Sequence, residues 1–393
     1  MLFAALLSTG CFDSEEIVIP PEDEAQSPTE MGLGPGISPL SSGLGEKGSP
    51  SWSPSSGKIA YTLDGYVVEK APNDSQLTRR TTKDFAATRV TWSPSGENLT
   101  ILGADAQSRP PESQHSVGPQ GLYRTVEGEG ALKITKIATG VQAMVPGPRG
   151  SDWTLLALDS TSSNSRLARV DTTGNIRLFD ADIQGTVTGI SVVPKGDQAL
   201  LATRNDASDR FEIHVFSLSE DGVQRVATLD RDMEVIGDPQ WTKRGIYYVT
   251  GEQPSGAGQD AAAFQVYRIA SGSSEPELAP GIGGDFVASN LKRDNTGERL
   301  AVIGRRNPQA AENVYLLDPR TKSLQAVTSN EDMDIKTGHD DLTWSRDGDS
   351  VVVVARAVMS EPKIYSVPAD SLVSDFYNLY EVPVGRMTGD GKS

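Results

Sequence analysis

With 393 residues the chain is long enough to bury a large core, as one big domain or two ordinary ones. Fifty-three acidic against thirty-six basic side chains leave a formal charge of -17 with no basic block, which argues against nucleic acid as a partner and for solubility. One cysteine excludes an intramolecular disulfide and a cysteine-based metal cluster, and 39 glycines and 24 prolines between short Val, Thr, Tyr and Ile runs favour many short strands over long helices.

The chain opens MLFAALLSTGC: an apolar run, two small hydroxyl residues, a glycine and then Cys11, the layout of a secretion signal with a small-residue processing site. It resembles the lipobox of bacterial lipoproteins, in which the cysteine becomes the first mature residue and carries the lipid. Ser8 stands where that pattern has its aliphatic residue, and Leu7 precedes it. The resemblance implies a lipoprotein-type signal over 1–11, lipidation at Cys11, and export to the periplasm or cell surface with a lipid anchor in a bacterial membrane. No other segment approaches the roughly 18 apolar residues of a membrane span, so attachment rests on the lipid. Residues 12–37 are acidic and rich in Pro, Gly and Ser, with too few apolar side chains to offset the ordering entropy. They read as a disordered tether which, continued to about Ser49, has a coil reach of roughly 35 Å.

From there the chain repeats itself. WSPSSGKIAYT at Trp52, WSPSGENLTIL at Trp92 and WSRDGDSVVVV at Trp344 are clear copies. Degenerate ones start at Met144, Val192, Trp241 and Leu291, so that seven copies follow one another at about fifty residues. Each anchor leads into a polar turn ending in glycine (Gly57, Gly96, Gly150, Gly196, Gly245, Gly297, Gly348) and then an apolar strand such as IAYT, LLAL or VVVVA. A second strand follows (GYVV, GLYRTV, RLARV, EIHVFSL, FQVYRI, NVYLL, KIYSV) and then a third short run such as NIRLFD or VGRMTG. With the strand entering the anchor, each unit has four strands. A four-stranded unit cannot bury both faces alone, so neighbours must stack on it, and radial stacking is the β-propeller. The expectation is an all-β chain whose residues 38–393 form a propeller of about seven four-stranded antiparallel blades, six or eight being the alternatives. Trp52, Trp92, Trp241 and Trp344 are then structural anchors that pack against the next blade.

The W-S-P-D-G-like string followed by a strand and an aliphatic-Tyr pair resembles the propeller repeat of the TolB family, a WD-like repeat of exported bacterial proteins. The likeness is strongest over 52–61, 92–102 and 344–354, with GDPQWT before and at Trp241 as a further echo. It implies the fold. The family's envelope role, binding a peptidoglycan-associated lipoprotein, is an analogy: the family's own propeller has six blades behind an α/β domain, and here seven copies follow a tether.

Chemistry is sparse. No G-x-S-x-G elbow occurs, and no region remains for an α/β-hydrolase domain. The three histidines, His115, His214 and His339, have no metal-ligand spacing, and GLGPGISP lies in the tether rather than between strand and helix. One cluster stands out: NEDMDIKTGHDDLTW before the last anchor holds Glu331, Asp332, Asp334, His339, Asp340 and Asp341. Asp341 and Asp238 each stand three residues before a tryptophan, and Arg89 has the corresponding place before Trp92. If the blades superpose, Arg89, Asp238, His339, Asp340 and Asp341 converge at one channel mouth, as a carboxylate-rich pocket for a cation or basic peptide; oxygen-only ligands would suit Ca²⁺.

The expected function is a non-catalytic, membrane-tethered scaffold that binds an envelope protein or peptide and needs no cofactor. The alternative is a ligand-, cation- or carbohydrate-binding propeller, or a hydrolase, with its site at the channel mouth. Long variable loops such as 105–120 and 251–263 suit either. Metabolic labelling with a fatty acid tests the anchor: label on the wild-type chain and none on Cys11→Ser is expected, and equal labelling refutes lipidation at Cys11.

Overall fold

The apolar runs that follow the turn glycines form strands buried on both faces: Ile59–Tyr61, Leu155–Ala157, Ala199–Ala202 and Val351–Ala355 are all at 0% exposure. Alternation is lost in such strands because both sides of the sheet are covered. The computed structural model describes residues 37–41, 46–72, 74, 76–81, 85–105, 121–127, 132–148, 150–161, 164–252, 264–328, 333–338, 340–357 and 378–384. Among these it is all-β, and the strands form seven antiparallel blades of a β-propeller. Cys11, the tether up to residue 36, His115 and His339 lie outside the described residues.

Blades 1 to 6 are four-stranded meanders over 47–79, 85–139, 141–184, 186–228, 233–278 and 287–326. Their first strands touch in ring order, the sixth meets Leu342–Trp344 of blade 7, and that strand meets the first strand of blade 1, so these strands enclose the axis. The core is correspondingly a set of seams. One hydrophobic cluster lies at each of the seven junctions, for example Trp153, Leu155 and Phe179 of blade 3 against Ile190, Leu201 and Phe216 of blade 4. The Phe179 and Phe216 rings meet edge-on at 5.3 Å, an arrangement that adds about 1 kcal/mol beyond area burial.

Blade 7 closes the ring with strands from both ends of the chain. Ser350–Ala357 pairs on its inner side with Met333–Ile335 and Leu342–Trp344, and on its outer side with Asn378–Pro383. The outermost strand is Ser38–Pro39, which pairs antiparallel with Asn378–Pro383. Ile37 then packs into the seam between blades 6 and 7, and Leu40 into the seam between blades 7 and 1. Leu40 N donates to Leu379 O, and Leu379 N to Ser41 Oγ, both at 2.8 Å. This corrects the sequence assignment of blade 7. Its third strand is NLYEVP, and its fourth comes from the N-terminal side rather than from VGRMTG; KIYSV and residues 385–389 lie outside the described residues.

Two anchors also move. The amide after the anchor bonds the carbonyl that closes the turn in Ser53→Lys58, Ser93→Asn98, Gly147→Trp153, Val193→Gln198, Asp294→Arg299 and Ser345→Ser350. The tryptophan slot is thus filled by Pro146 in blade 3 and Arg293 in blade 6, not by Met144 and Leu291 two residues earlier. Both shifts keep strand parity, which is why the apolar pattern alone did not expose them. The turn glycines reach the left-handed region as anticipated: Gly96 has φ 77°, and a Cβ there would fall 2.1 Å from Ser55 Oγ.

Closure by so short a strand is testable by truncation. A chain beginning at residue 37 should melt with the full-length chain. One beginning at residue 46 exposes two seams and loses Ile37 and Leu40, worth about 1.5–3 kcal/mol each, so its thermal midpoint should fall by several degrees in calorimetry. Equal midpoints would show that the N-terminal strand does not hold the ring.

Candidate functional site: the axial channel

Every inner strand is interrupted just before its anchor. The register shifts at Gly48/Ser51, Ala87/Arg89, Val141/Ala143, Val187/Gly189, Ile236/Gln240 and Ala288/Asn290, and in blade 7 residues 336–341 separate its two inner pieces. A bulge re-aims the following side chains. The residue before every anchor thereby lines the axis, and Ser49, Arg89 and Asp238, three before theirs, line the same space.

That space is a cavity of about 390 Å³ on the axis. All seven blades contribute the residue before the anchor: Ser51, Thr91, Val145, Ser191, Gln240, Lys292 and Thr343. Its rim is set two residues past the anchors by Pro54, Pro94, Pro148, Pro194, Asn295 and Arg346. The repeated W-S-P therefore divides its labour. Trp92 and Trp344 are buried and donate from Nε1 to Ser51 O at 3.1 Å and Lys292 O at 2.9 Å, each bond reaching the preceding blade. The serine caps the turn, as Ser53 Oγ accepts from Ser56 N at 3.1 Å and Ser345 Oγ from Ser350 N at 3.0 Å. The proline lines the mouth. Trp52 and Trp241 are half-buried in their seams.

In this cavity Arg89, Asp238 and Asp340 do come together. Arg89 Nη2 lies 2.9 Å from Asp340 Oδ1 and 3.7 Å from Asp238 Oδ2, and Lys292 Nζ lies 2.7 Å from Asp238 Oδ2. Asp238 Oδ1 also accepts from Ile190 N at 2.9 Å. Five blades are thereby laced across the axis. Asp341 goes elsewhere: it is buried between blades 7 and 1, where its Oδ1 accepts from Ser49 N at 3.3 Å, and burial raises its pKa above the usual carboxylate range. The channel is therefore not the carboxylate-rich pocket expected from the sequence. Cations of the neighbouring blades occupy the acids, and among the described residues no group of three His, Cys, Asp or Glu is placed to hold a metal ion.

The sequence pattern missed the cations that face the cavity. Lys292 and Arg293 fall at the last two positions of the blade 6 inner strand, and Arg346 stands on the rim. Arg293 occupies a tryptophan slot but lies across the channel wall. Its Nη2 donates to Val192 O at 2.7 Å, its Nη1 to Asp294 O at 3.3 Å, and its backbone N to Gln240 Oε1 at 3.3 Å. Burial pulls its pKa down from the ordinary arginine value. The signal that could have found it is the column of residues down the correctly aligned repeats, where Arg replaces Trp.

His214 lies away from the axis, on the third strand of blade 4, with Nε2 3.1 Å from Glu212 Oε2. Glu212 is held in turn by Arg225 Nη1 at 3.0 Å, and burial lowers the imidazole pKa, so a neutral ring donating from Nε2 fits the site.

No protein-family model and no curated protein sequence matches the chain. Solved structures do. An oligogalacturonate lyase from Vibrio parahaemolyticus superposes with a TM-score of 0.56 at 12% identity, covering 89% of this chain and 94% of its own. The β-propeller domain of the Trilobed protease from Pyrococcus furiosus gives 0.53 at 10% identity, over 86% and 95%; that domain has an open velcro topology, whereas here Ser38–Pro39 closes the last blade. A TolB-like propeller from Agrobacterium tumefaciens gives 0.43 at 14% identity, over 86% and 91%. At these identities the likeness is one of fold, and one fold hosts unrelated functions.

Removing one member of the axial ion-pair network tests its structural weight. Asp238→Leu leaves Lys292 facing the channel without its carboxylate and should cost about 3 kcal/mol in denaturant unfolding. Adding Lys292→Met should return a large part of that loss. A single substitution within error of wild type would show that the lattice of ion pairs does not hold the blades.

Proposed function

We propose that this chain is a non-catalytic propeller, tethered to a bacterial membrane through Cys11, that binds another envelope protein through its rims and channel mouth. The observation that carries this reading is the engagement of the axial acids: Asp238 and Asp340, the residues best placed for acid–base or metal chemistry, are ion-paired to Lys292 and Arg89. A carboxylate so held must give up its cation before it can bind a metal or reach a substrate. Seven blades joined by filled seams, five of them laced at the axis, make a rigid frame, and rigid frames that carry variable loops serve recognition. The tether supports the same reading, since its reach would hold the propeller away from the bilayer.

A second reading keeps a small ligand or substrate in the channel, and the cavity of about 390 Å³ favours it, being within the size range of ligand pockets. On that reading Ca²⁺ would have to displace Arg89 and Lys292 from their carboxylates.

Co-purification from detergent-solubilised membranes separates the two. Wild type and Cys11→Ser are compared by mass spectrometry, and one stoichiometric envelope partner retained by both forms is expected. No partner above background, with the fold intact by circular dichroism, would overturn the scaffold reading in favour of the channel ligand.

A further inference from the structure

The channel is positive inside an acidic shell. Its lining carries Arg89, Lys292, Arg293 and Arg346 against Asp238, Asp294 and Asp340, an excess of one positive charge, in a chain of formal charge -17. The acids are already engaged: Asp238 by Lys292, Asp340 by Arg89, and Asp294 by Arg299 Nε at 3.1 Å and by the Thr296 hydroxyl. Arg293 is different. Among the described residues no carboxylate lies within ion-pair distance of it, and its guanidinium bonds two neutral carbonyls, Val192 O and Asp294 O. Those bonds use two of its five N–H donors and hold the group in place at the wall of the cavity. Burial disfavours its charge by more than the neighbouring Asp294 carboxylate restores, so an anion brought alongside would relieve a standing cost rather than only replace water. The Thr343 hydroxyl lines the same space and has no hydrogen bond among the described residues, and Arg346 stands at the rim with one bond, Nη1 to Ser55 O at 2.9 Å.

We propose that the axial cavity binds the side-chain carboxylate of an acidic peptide segment, with Arg293 as its principal donor and Arg346 drawing it in at the rim. A guanidinium fork matches a planar carboxylate through two parallel bonds. The excess of one charge is balanced by one singly charged group, whereas a phosphate dianion would overbalance it and face three lining aspartates. A cavity of about 390 Å³ admits a side chain and its neighbours, not a domain. The proposal rests on the reading of the channel mouth as the recognition site and names the chemistry recognised there.

Isothermal titration of the full chain tests it with four probes: a capped hexapeptide Gly-Ser-Glu-Gly-Ser-Gly, the same peptide with Gln for Glu, that Gln peptide with a free C-terminus, and inorganic phosphate, with succinate as competitor. The capped Glu peptide should bind and be displaced by succinate. The capped Gln peptide and Arg293→Gln should each weaken binding about tenfold or more. Arg293→Lys, which keeps the charge and loses the fork, should fall between, and it carries the test should Arg293→Gln fail to fold. Arg177→Gln, on an outer strand, should bind as wild type. Equal binding of the Glu and Gln capped peptides, indifference to both Arg293 substitutions, preference for phosphate, or a free C-terminus bound better than the Glu side chain would each overturn it. A co-purified partner indifferent to Arg293→Lys and to succinate overturns the carboxylate chemistry and leaves the scaffold reading standing. Glu-peptide binding with no partner in the membrane extract does the reverse.

Discussion

Each blade has a second strand buried on both faces, and nothing but another blade can cover those faces. A strand such as Val351–Ala355 contributes to stability only when blades 6 and 1 flank it. Apolar burial at about 25 cal/mol per Å² drives the seams, but an open row of blades would leave two uncovered faces at its ends. The ring is the arrangement in which every seam is filled. For that reason a two-residue strand, Ser38–Pro39, carries a weight out of proportion to its length: it brings Ile37 to one side of blade 7 and Leu40 to the other.

Closure also decides what faces the axis. With the second strands committed to the seams, each first strand turns an edge inward, and the bulge before each anchor chooses which side chains point there. Seven strands then contribute the residue before the anchor to the axis, a column that is mostly hydroxyl and amide, with Lys292 as its cation. Charges of opposite sign from blades 2, 5, 6 and 7 meet there, Arg89, Asp238, Lys292 and Asp340, and their ion pairs add polar stitching to the apolar seams. An acidic protein can therefore hold a positive channel, because local geometry, not net charge, sets the field within a low-dielectric wall.

The fold was legible because its signals are local and repeated. Turn glycines at Gly57, Gly96 and Gly348, tryptophans four or five residues before them, and doubly buried apolar runs recur at a period that leaves a propeller as the natural solution. The site was legible only in part. Arg89 and Asp238 were found because they share a position relative to an anchor, and Asp340 because it lies in the acidic run before Trp344; the three do meet. Asp341 shares that position and is turned into a seam, since the long interruption 336–341 lets it follow Ser49 instead of the axis. Lys292 and Arg293 escaped notice because blade 6 has no tryptophan and its copy was aligned two residues early. A two-residue slip keeps every side chain on its face, so the hydrophobic pattern gives no warning.

Composition and period, then, determined by themselves that this chain is a stack of antiparallel four-stranded units with tryptophan in the joints, because strand pattern and turn chemistry are written within each fifty-residue stretch. Three things were decided only by the tertiary structure: the union of the first strand with the last blade, the pairing of axial acids with cations, and the placement of Arg293 on the channel wall. Each depends on residues brought together from opposite parts of the chain by ring closure, and no local pattern encodes a distance of that kind.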